Sequence, residues 1–179
     1  AKAWYGRNKR QRPVSVEPVV SVVINQLNNL ERSAATMDHR KMAVDYFNST
    51  WDLMDRADRS EEDTLKMIHM AHASRYQWGE AGTPLEWSRG EWQISRVYAL
   101  AGMGESALYH GQHALKYCLD NNIGDFDLAF AYEVIARAYA LPGKDTEKEA
   151  YLEKAEEASM GIAEQDDLEY FLSELATIL

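Results

Sequence analysis

The chain is poor in the residues that build covalent or metal-stapled frameworks. Its 179 residues include one cysteine, Cys118, which excludes an internal disulfide network and a cysteine-based zinc site. Proline is scarce, with four in all. No apolar run is long enough to span a bilayer, so a membrane-spanning helix is not expected. Positive charge is in deficit, with 19 Lys and Arg against 29 Asp and Glu. The resulting net of −10 disfavours nucleic acid as the main partner. A Gly-rich phosphate loop, a serine elbow, an EF-hand loop and a His-Glu-x-x-His pair are all absent. What remains is ordinary globular composition, 46% apolar and 27% charged, enough for one domain with a buried core.

Charge is unevenly spread. Residues 1–16 carry Lys2, Arg7, Lys9, Arg10 and Arg12 and no acid, whereas the chain from Gly143 onward has a net of −8. The basic head reads either as an arm for an anionic partner or as a leader outside the packed domain. Composition changes near residue 36, so Met37 is a further candidate start. No secretory signal pattern is found, and a cytoplasmic location is expected.

Helical punctuation divides residues 17–179 into about eight antiparallel helices in a single domain, and no hairpin pattern suggests a sheet. Pro18 opens the first, with Val19, Val20, Val23, Ile24, Leu27 and Leu30 at helical spacing. The second runs from Asp38 to about Asp55. The third starts at a Ser60–Asp63 capping box and is expected to end at Gly79. Thr83-Pro84-Leu85-Glu86 opens the fourth, which Gly102 terminates. The others cover about 105–121, 125–141, 145–161 and 164 to the end.

Residues 94–102, ISRVYALAG, and 135–143, IARAYALPG, agree at six of nine positions with an offset of 41. A fixed period in this range marks stacked helix-turn-helix units, each burying its apolar stripe against the next. The positions resemble the tetratricopeptide repeat. Tyr98, Gly102, Ala107 and Ala114 follow that motif, as do Tyr132, Ile135, Ala136, Tyr139, Gly143, Leu152 and Ala155. Departures are the 41-residue period, Trp92 one place off the aromatic position, Gly111 at a bulky position and Lys148 at a small one. The clearest repeats span 88–122 and 129–160; the pair 38–78 reads as an earlier divergent unit and the last helix as a cap. The chain is also similar to small bacterial proteins of this helical-repeat type. The resemblance implies an α-solenoid that offers a binding surface rather than a reaction.

In that family the first helix of each pair lines the concave face. On this basis Arg89, Trp92 and Arg96 face inward from one helix, and Phe130, Glu133 and Arg137 from the next. Their i, i+3, i+7 spacing independently gives each trio one face. Arginine forks beside a tryptophan suit carboxylates, so an acidic or amphipathic peptide segment is the expected partner. The competing reading is structural, with Arg96 and Arg137 bonded to Glu91 or Glu133 to join the repeats.

His69 with His72, and His110 with His113, are each three apart on a helix and could supply metal ligands with Glu86 or Glu91. With the Trp51, Trp78, Trp87, Trp92 and Tyr76 cluster they define an alternative, a metal-dependent or ligand-transforming enzyme. The histidines read more simply as separate packing residues, the aromatics as core, and Cys118 as a small buried residue. No cofactor is expected. Self-association into a homodimer through the apolar first helix is a third reading.

Overall fold

A computed structural model describes residues 38–178. The basic head at 1–16, the helix expected from Pro18 to Leu30, and Met37 lie outside the described residues. Among the described residues there are seven helices and no strand. They are α1 over 38–54, α2 (Glu61–Ala81), α3 (Pro84–Leu100), α4 (Gly104–Asp120), α5 (Asp125–Ala140), α6 (Asp145–Ser159) and α7 (Gln165–Leu175).

The ends of the helices follow local chemistry. The Arg59 guanidinium donates to the carbonyls of Leu53 and Met54, satisfying the open end of α1. At the start of α2, Asp63 N–H donates to Ser60 Oγ at 3.1 Å and Ser60 N–H donates back to Asp63 Oδ2 at 3.2 Å. At the start of α3, Glu86 Oε2 accepts from Thr83 N–H and Oγ1 at 2.8 and 2.6 Å. The repeated YALxG segments close identically. Gly102 and Gly143 adopt φ of +73° and +70°, and the next N–H, of Met103 or Lys144, reaches back to Tyr98 or Tyr139 O. One expected stop fails: Gly79 does not end α2, which continues to Ala81 and is closed by Gly82 N–H donating to Trp78 O at 2.8 Å. Gly79 keeps helical backbone, and the break comes at Gly82, just before the cap and proline that open α3.

Neighbouring helices pack in consecutive pairs, and α3 and α5 also touch directly, as do α5 and α7. The architecture is therefore all-helical and compatible with a helical repeat. Its regularity shows in what is buried. Met67, Ala71, Ser74 and Trp78 of α2 are followed forty residues later by Ala107, Gly111, Ala114 and Cys118 of α4. The small α4 residues let backbones approach: a Cβ at Gly111 would sit 3.1 Å from Ile135 and 3.2 Å from Ser95 and Val134. Gly111 thus departs from the bulky consensus because α4 is wedged between α3 and α5. Lys148, the other departure, turns its ammonium out to Asp145 and Glu149.

Buried polar side chains tie the helices through backbone carbonyls. Ser74 Oγ donates to Ala43 O, Gln93 Nε2 to Phe47 O, Ser88 Oγ to Ala114 O and Ser95 Oγ to Ala107 O. An aromatic row crosses the odd-numbered helices: Trp51 to Trp92 at 5.7 Å, Trp92 to Phe130 at 5.5 Å, Phe130 to Phe171 at 5.1 Å between centroids.

Candidate functional site

The six inner-face residues expected from the repeat come together along the layer of odd-numbered helices, and their partners come from three of them. Arg89 on α3 makes a two-point pair with Asp127 on α5, Nε to Oδ1 at 2.7 Å and Nη2 to Oδ2 at 2.8 Å. Trp92 and Phe130 lie in the buried aromatic row. One turn further on, Glu133 is fully buried and its Oε1 receives both equivalent arginines. Arg137 donates to it from Nε at 2.8 Å and Nη2 at 2.5 Å, Arg96 from Nη1 at 3.4 Å.

The last helix completes the cluster. Glu174 Oε2 accepts from Arg96 Nη2 at 2.8 Å, and Arg137 Nη2 also donates to Glu174 O at 2.9 Å and Thr177 Oγ1 at 2.8 Å. Tyr170 of α7 lies against Phe130, and burial, with the nearby Glu174 charge, pushes its hydroxyl up to about 12. Two guanidinium groups thus meet two carboxylates, so this layer is charge-balanced rather than a bare basic strip. Glu91, the other candidate partner for Arg96, is engaged elsewhere. Sequence reasoning missed Asp127, Tyr170, Glu174 and Thr177. The 41-residue period carried the signal for Glu174, since Trp51, Trp92, Glu133 and Glu174 fall at that spacing.

Arg96 and Arg137 line a cleft of about 350 Å³ between the ends of α3 and α5. Its remaining wall is apolar apart from Thr177, with Ala99, Leu100, Ala140, Leu141 and Ile178. Such a cleft pairs anion recognition with an aliphatic pocket.

A second polar cluster joins α2, α3 and α4. His72 Nε2 is 3.0 Å from Tyr98 Oη, and the His72 and His110 rings are 5.2 Å apart. His110 stacks on Tyr98 and pairs through Nδ1 with Glu91 Oε2 at 2.6 Å. Arg75 reaches Glu91 Oε1 at 2.9 Å and Tyr117 Oη at 3.1 Å. The arginine crosses α3 at Gly90, where a Cβ would stand 2.6 Å from Arg75 Cδ. Burial and the adjacent His110 hold His72 below an ordinary imidazole. Burial acts to raise Glu91, yet the hydrogen bond from His110 and the Arg75 charge outweigh it and leave the carboxyl low.

Only one member of each histidine pair enters this cluster. His69 instead lines a groove with Tyr46, Leu65 and Met70, and His113 lies against Tyr109 at 4.7 Å. Among the described residues no three His, Cys, Asp or Glu side chains are placed to hold a metal ion. Trp51, Trp78 and Trp92 are core, Trp87 is half-buried with its Nε1 donating to Trp78 O, and Tyr76 is exposed. Burial pushes the Cys118 thiol up to about 11, so it is protonated at neutral pH and a poor nucleophile.

No helix among the described residues is long and apolar enough to cross a membrane. No family model, curated protein or solved structure matches the chain.

Proposed function

We propose that this chain is a tetratricopeptide-like α-solenoid that works as a cytoplasmic binding protein and performs no chemistry of its own. Its partner is a protein segment, acidic and amphipathic, held along the layer of odd-numbered helices by Arg96, Arg137 and the aromatic row. The observation that carries this reading is the seating of α7. That helix is acidic in its first turn, buries Phe171 against Phe130, and offers Glu174 to both arginines. The wall therefore already holds one helix of the kind the partner would supply. Direct contact among odd-numbered helices also favours a curved stack with this layer on the inside, as the repeat resemblance implies.

A panel of acidic amphipathic helical peptides and their charge-reversed counterparts, titrated against the full chain, tests this. Saturable binding of the acidic set is expected, weakened at least about ten-fold in Arg96→Glu and Arg137→Glu variants. Binding that ignores both substitutions, or equal preference for the basic set, removes the reading.

A further inference from the structure

Arg96 and Arg137 occupy equivalent positions one repeat apart, yet they are unequally satisfied. Arg137 reaches three acceptors at 2.9 Å or less, Glu133 Oε1, Glu174 O and Thr177 Oγ1. Arg96 makes one bond of ordinary length, 2.8 Å to Glu174, and one long contact at 3.4 Å to Glu133. Its Nε is buried without an acceptor, and Glu133 Oε2 is buried without a donor. A guanidinium only 9% exposed with an unused donor is poorly compensated for leaving water. Arg96 thus has Glu174 as its one close acceptor, with Glu133 at 3.4 Å and the Trp92 ring 5.9 Å away, and it lines the cleft.

The groups at this corner come from the last turn of α7 and the turn that follows it. Glu174, Thr177 and Ile178 all lie beyond Phe171, the fully buried residue of the helix. The end is tightened into bonds from Thr177 N–H to Glu174 O and Ile178 N–H to Leu175 O, the pattern of a helix terminus that opens readily. Phe171 is buried in the core and Leu175 packs against it, whereas Glu174 and Thr177 meet the arginines through polar contacts alone.

We propose that Arg96 is the anion-receiving group of this cleft, and that the last turn of α7 is its resident competitor. The incoming group is a glutamate on a partner helix, followed one turn later by a hydroxyl and an aliphatic side chain, the i, i+3, i+4 arrangement of Glu174, Thr177 and Ile178. The glutamate replaces Glu174 on Arg96. The aliphatic side chain enters the cleft that Leu100, Leu141 and Ile178 line. This rests on the partner-binding reading above and specifies the partner's chemistry and the contact that holds it off.

The test uses full-length protein and, as probe, a labelled peptide copying residues 162–178. Glu174→Gln in the protein is expected to tighten probe binding about ten-fold, because the site is no longer partly filled. Adding Arg96→Lys, which keeps the charge but loses the fork, is expected to abolish that gain, as is replacing by glutamine the one of the probe's three glutamates that copies Glu174. Hydrogen exchange should quicken at residues 172–178 of Glu174→Gln and stay unchanged from 38 to 160. If exchange quickens throughout, Ile178→Ser, which loosens the turn and leaves the ion-pairing side chains intact, carries the same comparison. Equal probe affinity in wild type and the released variant overturns the proposal, as does a gain that survives Arg96→Lys. If no variant binds the probe, the inference falls, and the wall is judged by the peptide panel alone.

Discussion

Two polar clusters lie on opposite sides of α3 and are built from different kinds of charge. Toward α5 and α7, Arg96, Arg137, Glu133 and Glu174 form a balanced set of two guanidinium groups and two carboxylates. Toward α2 and α4, Arg75, Glu91, His72, His110 and Tyr98 form a set in which burial and the adjacent His110 hold His72 below an ordinary imidazole. The first holds only guanidinium and carboxylate side chains, so removing one member strands another. The second sets imidazole and hydroxyl partners beside its one carboxylate and tolerates the same damage. One helix thus carries a purely ionic joint on one side and a histidine-bearing, titratable one on the other.

Removing the two central carboxylates measures that contrast. Glu133→Ala leaves two nearly buried guanidinium groups short of an acceptor and is expected to cost about 3–5 kcal/mol in urea unfolding. Glu91→Ala is expected to cost about half as much, since it strands one guanidinium rather than two and Arg75 keeps Tyr117. Equal losses would erase the distinction. Gly90→Ala probes the titratable side by packing alone. The new Cβ would displace Arg75 from its crossing of α3, and overpacking of about 1–3 kcal/mol outweighs a helix-propensity gain of about 1 kcal/mol. A more stable Gly90→Ala protein would mean that Arg75 moves aside at no cost.

Acid should separate the clusters further, with a smaller effect. His72 titrates below an unperturbed imidazole because burial and His110 disfavour its charge. As pH falls below about 6.5, the unfolded chain takes up this proton before the folded one, so stability declines until the folded value is passed. Glu91 acts lower down. Its carboxyl is held low in the folded state, so the stability it supplies is present above about 4.3 and is lost as pH falls through its folded value. His72→Gln is expected to flatten the fall in melting temperature between pH 7 and 5.5 and leave the steeper fall below pH 4.5. A mutant that keeps the upper slope would place the titrating group elsewhere.

The sequence carried the frame because the frame is local. Caps at Ser60 and Thr83 and the left-handed glycines at 102 and 143 are set within a few residues, and the 41-residue offset places Arg96 and Arg137 on one wall. It could not say which histidines meet. Residues three apart on a helix differ by about 60° in direction, so the rotation of α2 and α4 splits each pair, sending His72 and His110 to Glu91 and Tyr98 and leaving His69 and His113 out. Glu174 stands one period after Glu133, but the period does not say what it touches: it reaches Arg96 across 78 residues, and only docking of α7 brings it there.

The same gap between spacing and environment sets the last comparison. Glu133–Arg137 and Lys116–Asp120 are both i, i+4 pairs of opposite charge, and by sequence they are the same interaction. Glu133 is fully buried and answers two arginines, whereas both members of the second pair are more than half exposed. Water solvates Lys116 and Asp120 almost as well apart as together, and holding two long side chains in one geometry offsets what the charge attraction supplies. Lys116→Ala should therefore change unfolding free energy by only about 0.3 kcal/mol, and by nothing measurable in about 1 M salt. A loss from Lys116→Ala approaching that of Glu133→Ala would show that spacing along the helix, rather than removal from water, sets the strength of these pairs.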